Sequence, residues 1–468
     1  MLTRSPSARR PFAALLTGLQ FAALAAASLA ADSPSTGAIT PELRANMQRL
    51  IQAATNSPLA FQRLETLCDR FGLRFSGTTN LEAALDWILG EMQRDGLEQV
   101  RPEPVMVPHW VRGPASLEML TPRAEPLHVL ALGGSVATPA EGLTAPLLVV
   151  RDFDELTRRA AEARGRIVLF NFTYTGYGSG LPYRSRGATE AARVGAVASL
   201  IRSLGPVSLQ TPHTGMMRYD DAVPPIPHAA ITLEDALMLQ RWQDRGEPVT
   251  LRLKLAAETL PDAPSRNLLA EWKGRERPDE WVILGGHSDS WDVGRGAMDD
   301  GGGCLAAWEA VRLLKTLELR PRRSVRVVLW VNEENGLRGA RAYRTNHLAE
   351  LPRHVLAMES DSGVFNPEGF SFNATGPVRR AAEAALELLQ PLGSLALRPG
   401  GGGADTSPLV ADGVPTMELL VAQEKYFWYH HTAADTVDKL DRNEFNRCVA
   451  AMAVMAYVVA DWPESLTR

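Results

Sequence analysis

From Arg266 onward, short apolar runs alternate with longer segments of helical periodicity, and this alternation restricts the fold more than any other feature of the chain. Residues 267–271, 281–284, 324–331, 355–359 and 415–420 have strand length and strand composition, while residues 303–317, 337–347, 378–390 and 442–461 repeat apolar side chains at helical spacing. Such alternation predicts an α/β fold with a mostly parallel central sheet flanked by helices. In that architecture ligands bind outside the carboxyl ends of the strands. Upstream, residues 41–55, 59–71 and 79–95 read as helices and 100–107 as a strand, which begins the same domain.

Between residues 113 and 264 the texture differs. Short strand candidates at 147–150 and 166–172 are separated by loops rich in Pro, Gly and charge, and residues 188–203 present Ala191, Ala192, Val194, Ala198 and Ile201 as one helical face. A chain of 468 residues exceeds the usual size of one domain. The expectation is therefore a domain of residues 31–114 and 262–468, interrupted by an inserted domain at 115–261 that has no cluster of metal-binding residue types.

The strand ends carry the chemistry. His287 and Asp289 follow the run 281–284 in the stretch GGHSDSWDVGRGAMDDGGG, and Asp299 stands at the entry to the next helix. Run 324–331 leads into Asn332-Glu333-Glu334-Asn335-Gly336, run 355–358 into Glu359-Ser360-Asp361, and run 415–420 through a loop into His430-His431. Four strand ends thus direct carboxylates and imidazoles to one rim of one sheet. Crowding so many acids is costly unless cations lie among them. Imidazole with carboxylate suits zinc, and a carboxylate shared by two ions makes a co-catalytic pair.

These motifs, together with His430-His431-Thr432-Ala433-Ala434-Asp435-Thr436, resemble the motif series of the di-zinc exopeptidases that include bacterial leucyl aminopeptidases and glutamate carboxypeptidases. The likeness extends over nearly all of the chain after its first thirty residues, and segment 115–260 is similar to a protease-associated domain. It implies a zinc exopeptidase fold and two Zn2+ per chain, one held by His287, Asp299 and Asp361, the other by Asp299, Glu334 and His431. Glu333 is implied as the general base. In that family the peptide after the bridging aspartate, here Asp299–Asp300, is often cis, and relatives suggest a homodimer.

Three neighbouring features have two readings each. Asp289 either accepts the second ring N–H of His287, fixing its tautomer, or caps its loop. His430 either contacts substrate or packs beside the ligand His431. The glycines at 400–403, with Asp405 and Thr406, form either a backbone cradle for a charged peptide terminus or a surface loop. Asp300 reads as a structural neighbour, and Asp292 has no assigned role.

The N-terminus has Arg4, Arg9 and Arg10, then an apolar stretch rich in Ala and Leu, then small residues near Ala30 and Ala31. Residues 1–30 read as an export signal, so the mature protein is expected to be periplasmic or secreted and free of the membrane. The rest carries 46 basic against 54 acidic residues, a balance that recruits neither nucleic acid nor an anionic membrane. Three cysteines, Cys68, Cys304 and Cys448, exclude a disulfide framework; the last two read as small core residues.

The expected function is hydrolysis of dipeptides or short peptides with free termini. The alternative with the same metal residues is an aminopeptidase on longer peptides. A non-catalytic receptor-like protein would lack ligands that are present here, and a glutaminyl cyclase would use a single zinc.

Overall fold

A computed structural model describes residues 39–467, so the expected export signal lies outside the described residues. Three helices come first, Pro41–Asn56, Leu59–Phe71 and Thr79–Arg94. Thr40 and Thr78 cap the first and third by accepting the amide protons of Leu43 and Leu81. In chain order the strands are β1 (Glu98–Val111), β2 (Ala115–Thr121), β3 (Glu125–Leu127), β4 (Val129–Ala131), β5 (Leu143–Val150), β6 (Ile167–Phe170), β7 (Ala198–Arg202), β8 (His228–Ile231) and β9 (Thr250–Leu255). There follow β10 (Glu258–Trp272), β11 (Arg277–His287), β12 (Arg323–Trp330), β13 (His354–Glu359), β14 (Pro367–Phe372), β15 (Ala396–Pro399) and β16 (Thr416–Val421).

Two eight-stranded sheets result. The first has the order β1-β10-β12-β11-β13-β16-β14-β15; the second, drawn wholly from residues 115–255, has the order β3-β2-β9-β5-β6-β7-β8-β4. The first sheet is mixed rather than mostly parallel. Its centre, β12-β11-β13-β16, is parallel, but β10 runs antiparallel to β12, β1 runs antiparallel to β10, and β14 runs antiparallel to β16. The parallel strands, covered on both faces, read as unbroken apolar runs, whereas β14 and β15 interleave Pro, Gly and charge and escape a periodicity search.

A second correction concerns residues 188–203. The helix is Tyr177–Arg193, and the chain then turns at Gly195 (φ +84°) into β7. Ala198–Arg202 is buried between β6 and β8, where both faces are apolar, so a continuous apolar run served a strand although its spacing also fitted a helix.

Helix Arg442–Asp461, capped by the Asp441 carboxylate at Asn443 and Glu444, is buried along most of its length. It packs beside helices Gly302–Thr316 and Pro41–Asn56 in the main core under the first sheet. All three cysteines are buried and free. Among the described residues, no helix is long and apolar enough to cross a membrane.

Candidate metal centre

The parallel register sets the site. His287 on β11 stands level with Trp330 on β12, and Gly285 stands level with Glu359 on β13, so the segments that follow these strands emerge on one rim. Val331 and Asn332 then turn the chain to Glu333 and Glu334; Asn332 takes the left-handed region (φ 68°), which asparagine tolerates. His431 also lies there (φ 59°), an uncommon conformation for histidine that marks a constrained position.

The structure brings His287, Asp299, Glu334, Asp361 and His431 together. His287 Nε2 is 3.2 Å from Asp299 Oδ1 and 3.1 Å from Asp361 Oδ1. His431 Nε2 is 3.3 Å from Asp299 Oδ2 and 3.1 Å from Glu334 Oε2. Asp299 therefore offers one oxygen to each of two imidazole–carboxylate sets. Glu334 Oε1 is buried without a hydrogen bond, and Asp299 Oδ2 has only the imidazoles of His431 at 3.3 Å and His430 at 3.6 Å beside it; a buried acceptor left unpaired is costly.

The His430 ring stacks on His431 at 3.6 Å, and its Nε2 lies 3.6 Å from Asp299 Oδ2. His430 and Glu334 thus both border the second set. Glu334 Oε2 approaches His431 Nε2 to 3.1 Å, and Glu334 Oε1 and His430 Nδ1 are both buried without a hydrogen bond. Burial, with the positive potential of His431, drives His430 well below the ordinary histidine range.

Charges here are strongly coupled. Burial opposes the Asp299 anion, but hydrogen bonds from His287 and His431 outweigh it and hold the carboxyl well below its usual range. Burial and the neighbouring Asp299 push Glu334 up to about 7. Burial also drives Glu333 well above the ordinary glutamate range, with His287 opposing and the anions of Asp361 and Glu334 adding to the rise. The site holds more negative charge than its own imidazoles offset. Two histidines with three carboxylates are a donor set suited to zinc, and the residues fit such ions.

The supports are backbone groups and carboxylates. The Asp300 carboxylate accepts the amide protons of His287 and Gly303, both at 3.0 Å, tying β11 to the start of helix Gly302–Thr316. A Cβ at Gly286 would fall 2.1 Å from Asp300 Oδ2, and one at Gly303 would fall 1.9 Å from the Ser360 carbonyl. These two glycines permit the close approach. The peptide Asp299–Asp300 is cis.

Asp289 contacts the second ring nitrogen of His287 through its main chain. Its backbone carbonyl, 3.0 Å from His287 Nδ1, accepts the ring proton, while its carboxylate accepts the amides of Glu333 (3.1 Å) and Glu334 (3.4 Å). The loop after the glycines 400–403 serves an internal carboxylate: Glu359 accepts the amides of Asp405 (3.1 Å) and Thr406 (2.9 Å) and the Thr406 hydroxyl. Asp292 pairs with Arg112, whose Nε lies 2.9 Å from Asp292 Oδ2.

A cavity of about 300 Å³ opens over the donors, with Glu333, Ser362, Glu418 and Tyr426 in its wall. Residues 267–456 match the model of peptidase family M28. Carboxypeptidase Q of Homo sapiens is 47% identical over 409 residues, 87% of each chain, and that of Xenopus laevis is 45% identical over the same share. The chain belongs to peptidase family M28. It is a metallopeptidase of that family. A crystal structure of a peptidase M28 precursor from Shewanella amazonensis, 36% identical, superposes with a TM-score of 0.88 over 91% of this chain and 98% of that one. A zinc aminopeptidase from Bacillus subtilis, 22% identical, shares the fold with a TM-score of 0.66 over 87% and 96% of the two chains.

Within this M28 chain several functional contacts carry no sequence signal. The Thr214 carbonyl, from the second-sheet region, lies 3.3 Å from His431 Nδ1 and accepts its proton. The Asp435 carboxylate accepts the amides of Ala297 (3.0 Å) and Met298 (2.9 Å) just before Asp299. The buried Arg74 guanidinium donates to the carbonyls of Ser288, Arg295 and Gly296. Tyr177, Arg184 and Met216 line the cavity from the second-sheet region, whose sequence carries no cluster of metal-donor residue types.

Proposed function

We propose that the chain is an exported di-zinc exopeptidase that hydrolyses dipeptides or short peptides with free termini. The observation that carries this reading is the division of Asp299 between two donor sets, His287 with Asp361 and His431 with Glu334. The zinc named in the Bacillus subtilis structure and the carboxypeptidase name of the relatives agree with it. Zinc ions bound there would supply Lewis-acid polarisation of the scissile carbonyl and acidify the attacking water.

The remaining steps belong to the protein. The Asp289 carbonyl and the Thr214 carbonyl accept the Nδ1 protons of His287 and His431, leaving each Nε2 lone pair directed at the donors' common centre. Glu333 lines the cavity, and its side chain forms no hydrogen bond or ion pair among the described residues. Its carboxyl, raised well above the ordinary glutamate range by burial, takes the proton of the attacking water and passes it to the leaving amine. Its neighbour Glu334 binds metal instead, because the Asp289 carboxylate fixes both backbone amides and the two side chains diverge.

The same reading assigns residues 31–114 and 262–468 to the catalytic domain and 115–261 to an inserted, protease-associated-like domain, whose separate sheet supports the division. The leader-like composition of residues 1–30 supports export, and light scattering tests the homodimer. For the mechanism, Glu333→Gln is expected to retain about two zinc ions per chain while turnover falls at least ~100-fold. Normal turnover in that variant removes Glu333 as the base. Rapid cleavage of C-amidated peptides from the amino end would favour an aminopeptidase on longer peptides.

A further inference from the structure

Arg112 sits where the chain leaves the first sheet for the second, between β1 (Glu98–Val111) and β2 (Ala115–Thr121). Its side chain is buried, and its fork reaches three separate segments. Nε and Nη2 donate to the carboxylate of Asp292, in the loop between His287 and Asp299. Nη1 donates to the Ala131 carbonyl on β4 and, at 3.0 Å, to the hydroxyl oxygen of Thr214. Thr214 is in turn paired with His431 in both directions: its amide donates to the His431 carbonyl at 2.9 Å, and its own carbonyl lies 3.3 Å from His431 Nδ1. The guanidinium carbon lies 5.0 Å from the ring centre of Trp110 and 5.5 Å from that of Trp291, and the Trp291 ring stands 5.6 Å from the imidazole of His431. Gly133 makes space for that indole, since a Cβ there would fall 2.2 Å from it. Neither Arg112 nor Asp292 has a part in the proton transfers. A buried ion pair adds little net stability over a well-packed apolar pair, so its use is to specify one arrangement.

We propose that Arg112 is a positioning residue for the second donor set: paired with Asp292, it fastens the second-sheet region to the metal loop and, through Thr214, holds His431 at the angle that serves Asp299 and Glu334. This rests on the di-zinc reading above. His431 needs such a support, because its left-handed backbone (φ 59°) is unfavourable for histidine unless the surroundings impose it. The fork suits the task, since its planar donors hold Asp292 and Thr214 in one fixed relation where a point charge would not. Loss of Arg112 frees the Thr214 turn and lets the His431 ring swing away from its set. The first set, His287 with Asp361, takes its orientation from the Asp289 carbonyl instead and is untouched by that loss.

The test is a competitive zinc titration of the whole protein against a chromophoric chelator, which reads the two ions as separate steps; His431→Ala identifies the step of the second set. In Arg112→Met that step should weaken about 10- to 100-fold, as when a group supporting a metal-bound histidine is removed, while the other step is unchanged. Arg112→Lys, which carries the charge without the fork, should recover part of the loss. Thr214→Val keeps the carbonyl that faces His431 and removes only the hydroxyl that Arg112 binds; it should weaken the same step by less. The two changes together should weaken it no more than Arg112→Met alone, because both break one chain of contacts. Equal weakening of both steps in Arg112→Met marks a general structural role and overturns the proposal, and so does an unchanged second step. If Arg112→Met does not fold, Thr214→Val decides, and an unchanged second step there overturns the proposal as well. In all of these the di-zinc reading stands. A wild type that binds a single zinc ion overturns that reading and this proposal with it.

Discussion

Replacing Gly303 with alanine pits two known effects against each other. Gly303 is in the first turn of helix Gly302–Thr316, where alanine is intrinsically better than glycine by about 1 kcal/mol. Its added methyl, however, would lie 1.9 Å from the Ser360 carbonyl and 2.2 Å from Asp300 Oδ1. An ordinary C–H···O contact needs roughly 3.3–3.6 Å, so the helix or its neighbours must move by more than an ångström. Neither neighbour is free to move. Ser360 precedes Asp361, and Asp300 holds the amides of His287 and Gly303. Overpacking costs about 1–3 kcal/mol, and loss of one buried hydrogen bond to a charged group adds about 1.5–3 kcal/mol. After the gain in propensity, the net destabilisation is roughly 1.5–5 kcal/mol. The assay is the urea midpoint of the metal-free protein together with zinc retained after dialysis. Gly178→Ala is the control: it is exposed on helix Tyr177–Arg193 with nothing near its Cβ, and should be neutral or slightly stabilising. A Gly303→Ala protein as stable as the control, with full zinc content, would refute the close approach of Asp300.

Asp435→Ala leaves the amides of Ala297 and Met298 unpaired in the interior, at about 1–3 kcal/mol for each, and should weaken zinc affinity along with the midpoint of denaturation; unchanged affinity would detach Asp435 from the metal loop. Burial lowers His354 to about 3, and Arg326 adds to this, while the ring donates Nδ1–H to the Glu350 carbonyl and lies 2.9 Å from the Tyr343 hydroxyl. The folded protein thus keeps this ring neutral where the unfolded chain, with an ordinary value near ~6.5, takes up a proton. Its stabilising contribution is present above that value and is lost as pH falls towards about 3, by up to ~1.4 kcal/mol per unit. His354→Gln should flatten the wild-type slope of stability between pH 6.5 and pH 5 by as much as one proton; equal slopes would contradict this. Removing metal with a chelator should abolish turnover and lower the thermal midpoint, and zinc should restore both; a midpoint indifferent to chelation would argue against ions among Asp299, Glu334 and Asp361.

The sequence was most legible where one physical cause acted alone. Strands β11, β12 and β13 are buried on both faces, so burial itself wrote their apolar runs, and the residues that converge on Asp299 were visible as acids and histidines placed directly after them. Where two causes compete, the pattern misled. Residues 198–202 satisfy a helical face and a buried strand equally well, and only the partners β6 and β8 decide between them. Strand β14, the edge strand β15 and the antiparallel margin at β10 depend on long-range pairing that leaves no local trace. Backbone groups leave none either: the carbonyls of Asp289 and Thr214 orient the two imidazoles regardless of side chain.

The cavity is shared between two sheets of separate origin in the chain. The acids and imidazoles come from the first-sheet region, most of them in segments that follow its strands, whereas Tyr177, Arg184 and Met216 line the cavity from the region that builds the second. Mutations in residues 115–255 can therefore reshape what enters while the hydrolytic apparatus is inherited intact, provided the turn at Thr214 keeps its grip on His431. Transplanting that region between relatives is a direct route to new peptide preferences, and His213–Gly215 is the seam along which such a graft must be matched.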